Sequence, residues 1–320
     1  MVLIAIELEN GLVKKTSLEA VQYGAAVAAS KGTQAVVLAI GAANEATLAS
    51  TGNYGAAKVL HANDSQLNTV NSMAYASVLT QAAQKIGADL IITPKSSSMD
   101  GIAARAAGAL QAGYVGNVTE LPDFSNGTSV RRSIFTGKAF AKVALNAAIN
   151  ILAIKKNAVT LTETSGSASV EAFSATLDTK FFEAKVTDTI KATGMISLPE
   201  ADLVVSGGRG LKGPEHWQPL LDLADALGAA TACSKPVSDL DWRPHHEHVG
   251  QTGVKVAPNL YIACGISGAI QHLAGVNSSK VIVVINKDPD APFFKAADYG
   301  IVGDVFDILP KLTAAVNASK

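Results

Sequence analysis

Apolar positions follow two rhythms along the first 120 residues. Short β-rich runs at 2–8, 35–40, 58–61 and 89–93 alternate with stretches of helical spacing at 17–30, 68–85 and 101–111. The runs predict strands buried on both faces, and the stretches predict helices that cover them. Gly87 and Gly113 follow the second and third helices as stop signals. Repeated strand–helix units imply a mostly parallel sheet with helices on both faces.

From about residue 115 to 186 the rhythm changes. The runs SVRRSIF, KAFAKVAL, NILAIKK and ASVEAFS are separated by polar turns, and residues 162–169 read as a Ser/Thr/Gly-rich loop. This predicts a mixed or antiparallel β extension of the first domain. Strand–helix alternation resumes near residue 201, with strands expected at 202–206, 229–233, 260–263, 280–285 and 300–302. Leu220, Leu223, Ala224 and Leu227 sit at helical spacing. So do Val305, Ile308, Leu309, Leu312 and Val316, behind an expected N-cap at Asp304 and interrupted by Pro310. The expected architecture is α/β with two domains, residues 1–190 and 191–320. The break is placed at residues 191–199.

Composition fits that plan. The 320 residues suit two domains at about 150 residues each. Lys and Arg total 26 against 27 Asp and Glu, so neither a globally basic nucleic-acid binder nor an acidic tail protein is indicated. Hydrophobic residues at 48% and charged residues at 17% exclude disorder. Mean hydropathy is +0.25, but the longest clean aliphatic run, 281–285, is too short to span a bilayer. Cys233 and Cys264 lie far apart with no CxxC, which points to free buried thiols in a reducing compartment. Residue 1 leads straight into an apolar run with neither a secretory nor an Arg-rich leader. A bacterial cytoplasmic location is therefore expected over a mitochondrial matrix.

Candidate chemistry lies in the second half. Gly208, Gly210 and Gly213 form GxGxxG after an expected strand, with Arg209 inside the loop and Pro214 beyond it. A dinucleotide fingerprint needs an acid about 20 residues on, where the chain instead reads Ser234 and Lys235. The glycines then serve an anion or simply a tight turn. ACGISGAIQH follows another strand, and Gly265, Ser267 and Gly268 precede a helix start suited to phosphate. His272 lies about one turn in, as a ligand contact or as a satisfied buried histidine. Gln251 and Thr252 in VGQTG offer neutral hydrogen bonds or mark an ordinary turn. INKDPDAP ends a strand at Asn286, and Asp288 begins a turn. Arg209, Ser234, Ser267, Asn286 and Asp304 all fall at expected strand ends, where open α/β sheets bind ligands. His245, His246, Glu247 and His248 are adjacent in a loop, a spacing that disfavours convergence on one metal ion. No nucleophile elbow or P-loop occurs, so no catalytic and no metal residues are assigned.

The stretches VVSGGRGLK, VGQTG, LYIACGISGAIQHLAG, INKDPDAP and ADYGIVGD closely resemble the alpha subunit of electron transfer flavoprotein over residues 201–310. The resemblance implies a doubly wound FAD-binding second domain and a heterodimer with a beta subunit that carries AMP. It implies an electron carrier rather than an enzyme. Electrons would pass from flavoproteins of the acyl-CoA dehydrogenase type, in fatty-acid β-oxidation, to a membrane quinone-linked oxidoreductase. Residue by residue, it puts Arg209 near the cofactor, and Ser234 and Lys235 at the flavin ring. Val249, Gly250, Gln251 and Thr252 would form the turn near the ribityl chain and N5. Ser267, Gly268, Ala269, Ile270 and Gln271 would cradle the pyrophosphate and ribityl region, with His272 at O2. Asn286, Asp304 and Val305 would serve the adenosine end. Lys235 stands where the family usually has Arg, which keeps the charge but loses the planar fork. Three rivals stand beside this reading. They are a bifurcating flavoprotein using NADH with a second FAD, an NAD-linked oxidoreductase, and a non-redox nucleotide-sensing scaffold.

Overall fold

The computed structural model describes residues 1–137, 139–188, 198–199 and 201–320. They fall into two compact units, Met1–Thr189 and Ile190–Lys320. The break expected at 191–199 lies almost wholly outside the described residues.

The N-terminal unit opens with β1 (Val2–Ala5), the small hairpin β2 (Leu8–Glu9) and β3 (Leu12–Val13), then α1 (Lys15–Ser30). The expected strand at 2–8 thus stops early, because Asn10 and Gly11 adopt positive φ and turn the chain back. Next come β4 (Ala35–Ile40), α2 (Glu45–Ala49), β5 (Lys58–Ala62), α3 (Ser72–Ile86), β6 (Leu90–Pro94) and α4 (Ser97–Leu110). Side-chain caps fix the helix starts. Asn71 accepts from the Met73 and Ala74 amides and opens α3, four residues later than the pattern predicts. Ser96 accepts from the Met99 amide and opens α4, four residues earlier. Gly87, at φ 63°, ends α3.

The changed rhythm that follows builds β7 (Gly113–Val118), β8 (Ser129–Ile134), β9 (Ala139–Ala144), β10 (Asn150–Ile154) and β11 (Ser169–Ala172). The sheet order is β11-β5-β4-β1-β6-β10-β7-β8-β9. Only the β7–β8 and β8–β9 pairings are antiparallel. Two of the four runs expected in the extension therefore belong elsewhere. NILAI is buried at every position, so β10 inserts in parallel between β6 and β7. β11 runs parallel to β5 at the far edge. Leu38, Leu79 and Ile91 lie in the core under one face of the sheet, and Ile4, Val21 and Leu152 in the core under the other.

The C-terminal unit runs β12 (Leu203–Gly207), α5 (Gln218–Leu227), β13 (Ala230–Cys233), α6 (Lys235–Asp239), β14 (Leu260–Cys264), α7 (Ile270–Val276), β15 (Val281–Asn286), β16 (Tyr299–Val302) and α8 (Val305–Ala318). Its five strands are all parallel in the order β13-β12-β14-β15-β16, with apolar clusters on both faces. This is a doubly wound sheet, and the strand order reverses between β12 and β14. Asp304 caps α8 by accepting from the Phe306 amide at 3.0 Å. The helix continues through Pro310.

A buried ion pair shapes the segment before the VGQTG turn. Arg243 donates through Nε and Nη2 to Glu247 at 2.8 and 2.6 Å. Thr231 donates to the same carboxylate at 3.1 Å, and the guanidinium lies 5.2 Å from the Trp217 ring. Glu247 is thereby committed to packing, and the described residues hold no cluster of three metal-ligating side chains. Glu247 is 2% exposed. Glu247→Ala should therefore destabilise this unit by about 3 kcal/mol, because a half-buried guanidinium loses its carboxylate. Urea unfolding of the variant and the parent checks the value.

Candidate functional site

The two loops that leave β12 and β14 meet backbone to backbone. Gly208 donates to the Cys264 carbonyl at 2.9 Å, and Gly210 donates to the Gly265 carbonyl at 3.1 Å. A Cβ on Gly208 would lie 2.3 Å from the Gly265 oxygen, and one on Gly210 would lie 2.6 Å from its Cα. Gly265 also takes φ 62°. No side chain fits between these loops. The expected GxGxxG is thus a close-packing device as well as a turn.

Beside this contact lies a cleft of about 530 Å³ at the carboxyl ends of the strands. Arg209, Ser234, Lys235 and Asn286 line it from three different strand ends. Val249, Gly250, Gln251 and Thr252 line it from the turn. Ser267, Ala269, Gln271 and His272 line it from the start of α7. The turn is clamped onto α7, since Gln251 donates to the Gln271 carbonyl at 2.7 Å. Gly275 lies so close to Gly250 that its Cβ would be 2.6 Å from the Gly250 nitrogen. On the other side Val249 donates to the Cys233 carbonyl at 3.0 Å, tying the turn to β13. Asn286 is held by donating to the Ile266 carbonyl at 3.1 Å.

Four expected residues lie outside the cleft lining. Gly268, at φ 82°, is packed against Phe293, and Ile270 points outward with 64% exposure. Asp304 caps α8 and sits 3.9 Å from Lys212. Val305 is buried in the core beneath α8. Conversely, Pro236, Asp239, His248, Ile266 and Asp288 line the cleft without having been singled out as site residues. The signals existed. Asp239 lies four residues after Lys235, His248 immediately precedes VGQTG, and Asp288 lies in the turn after β15.

Electrostatically the cleft joins exposed cations to neutral imidazoles. Arg209 and Lys235 are exposed and form no ion pair among the described residues. His272 is buried and accepts or donates at Nε2 with the Tyr261 hydroxyl at 2.9 Å. Phe293 packs edge-on against its ring. Desolvation lowers its pKa to about 4, with the Val249 carbonyl pulling the other way. His248 is lowered by desolvation and then by His245. Nδ1 of both rings is buried without a hydrogen-bond partner. Burial raises both thiols, Cys233 and Cys264, to about 12, so neither is a nucleophile.

Residues 197–277 match the model of the electron transfer flavoprotein FAD-binding domain, and residues 2–178 match that of the electron transfer flavoprotein domain. The chain is 36% identical over 315 residues to electron transfer flavoprotein subunit alpha of Bacillus subtilis (strain 168), covering 98% of this chain and 96% of that protein. It is 38% identical over 305 residues to the probable mitochondrial alpha subunit of Caenorhabditis elegans, covering 94% and 91%. The chain belongs to the electron transfer flavoprotein alpha subunit family.

FAD is accordingly the cofactor of this family member, and its residues fit that group. The exposed cations Arg209 and Lys235 at the cleft suit the negative charge of its pyrophosphate. Orphaned imidazole nitrogens beside the cleft suit a polar heterocycle. The depressed histidine also sets a pH response. Between its ordinary value of 6.5 and about 4, the unfolded chain takes up a proton on His272 that the folded chain refuses. Stability of the C-terminal unit should therefore fall as pH drops through that window. His272→Gln should flatten the slope, read from denaturation midpoints at a series of pH values.

Proposed function

We propose that this alpha subunit pairs with a beta subunit carrying AMP. The heterodimer takes electrons from flavoproteins of the acyl-CoA dehydrogenase type and delivers them to a membrane quinone-linked oxidoreductase. It is a carrier without substrate chemistry of its own. The observation that carries the reading is the convergence of Arg209 and Lys235 with the neutral donors of Gln251 and Thr252 in one cleft. When bound, FAD supplies the redox chemistry. This chain's residues bind it and set its electrostatics. Arg209 and the backbone from Ser267 to Gln271 would hold the pyrophosphate. Lys235 would face the flavin ring and favour negative charge there, and the Thr252 hydroxyl would donate near N5. Asn286 would serve the adenosine end, joined by Asp304 and Val305. Gly268 would act through the shape of the loop before α7, and Ile270 through the first turn of that helix.

Among the described residues no helix is long and apolar enough to cross a membrane. An NAD-linked reading meets Ser234 and Lys235 at the end of β13, where the ribose-binding acid belongs. A stepwise reductive titration of the purified heterodimer tests the proposal. One FAD per heterodimer, reduced in two one-electron steps, supports the simple carrier. Two FADs of distinct behaviour move the reading to NADH-linked bifurcation, and no flavin after reconstitution rejects both.

Lys235→Ala should make the flavin harder to reduce. The expected shift is on the order of 60 mV to more negative potential, the one-electron equivalent of a tenfold change. Lys235→Arg should restore the potential. Spectroelectrochemistry of the three proteins reads the result, and an unchanged potential in the alanine variant removes Lys235 from this role.

A further inference from the structure

Two buried hydroxyls stand behind His272. Tyr261 in β14 is fully buried, and its Oη is 2.9 Å from His272 Nε2. Its ring packs near both His272 and Phe293. Ser206 in β12 shares that face of the sheet, since Tyr261 is in register with Val204 and Ser206 lies two residues on. Ser206 is fully buried, and its Oγ has no hydrogen-bond partner of its own. None of these hydroxyls lines the cleft.

Desolvation raises the Tyr261 phenol far above its ordinary pKa, so the hydroxyl keeps its proton. A buried hydroxyl beside an imidazole nitrogen can satisfy it as a donor. A neutral imidazole has one N–H and one acceptor. Accepting at Nε2 leaves the proton on Nδ1. The Val249 carbonyl favours a proton on the ring, although Nδ1 makes no hydrogen bond of ordinary geometry.

We propose that Tyr261 is a positioning residue for the cleft. It donates to Nε2 of His272 and fixes that side chain as the tautomer protonated on Nδ1. Ser206 acts on the phenol oxygen from the same face of the sheet without a hydrogen bond of ordinary geometry. The polar pair then runs from the buried sheet through Tyr261 to His272, which lines the cleft. On the FAD reading, on which this part rests, His272 adds a fixed neutral dipole at the site. The positive charge there belongs to Arg209 and Lys235.

Selective ¹⁵N-histidine labelling of this chain, assembled with its beta subunit, reads the tautomer directly. Two-bond ¹H–¹⁵N couplings separate Nδ1 from Nε2, and His272→Gln assigns the signal by its loss. Near neutral pH the wild type should show a neutral His272 protonated on Nδ1. Tyr261→Phe keeps the ring and removes the donor, and should move the proton toward Nε2. A wild-type ring protonated on Nε2 or on both nitrogens overturns the proposal. So does a tautomer unchanged in Tyr261→Phe. If that variant does not assemble, the wild-type spectrum alone decides. Flavin absorbance of the same samples tests the FAD reading separately. A sample without flavin but with the expected tautomer rejects that reading and leaves the role of Tyr261 standing.

Discussion

Everything in the C-terminal unit is arranged around a contact that permits no side chain. Gly208 and Gly210 of one loop lie on Gly265 of the other, at distances where a single Cβ would displace backbone. The contact sits where the strand order reverses, between β12 and β14. The two loops would otherwise diverge and leave an open crevice. Here they are joined by two backbone hydrogen bonds, so the crevice gains a floor. Arg209 then comes within one cleft of Ser267, Gln271 and His272, which lie more than fifty residues away in sequence.

The walls are fixed by different physics. A buried carboxylate–guanidinium pair, Glu247 with Arg243, holds the segment that delivers His248 and Val249. Glycine-to-glycine packing between Gly250 and Gly275 seats the turn on α7. Polarity is sorted as a result. The Arg243–Glu247 pair lies inside, the cations Arg209 and Lys235 stay exposed at the cleft, and burial lowers the pKa of the imidazoles between them. That division suits a cofactor whose negative charge should be met by mobile, solvated cations and by fixed dipoles.

The N-terminal unit has the same strand–helix logic with a different outcome. Its strand order also reverses, at β1 and β6, yet the start of α4 is met by the chain's own Glu7. That carboxylate accepts from Ser96 at 2.9 Å and from Ser98, so an anion already stands at the helix start. The unit's β7–β8–β9 extension leaves Phe135 and Phe140 exposed.

The sequence by itself determined the alternation of strands and helices and the class of fold, because burial on both faces of a parallel sheet writes long apolar runs. It also located the loops of the site, since GxGxxG, VGQTG and the Gly265–Gly268 turn are local requirements of backbone geometry. Twelve of the sixteen expected site residues, from Arg209 to Asn286, line the cleft for that reason. Tertiary structure decided what local pattern cannot carry. Neighbours across a sheet are set by topology, so only the fold could place β10 between β6 and β7 and send β11 to the opposite edge. Helix starts followed side-chain caps at Asn71 and Ser96 rather than periodicity. The ionisation of His272 and the commitment of Glu247 to Arg243 depend on burial and on partners in three dimensions. A residue type fixes which protons and bonds are available, and only its surroundings fix which are used.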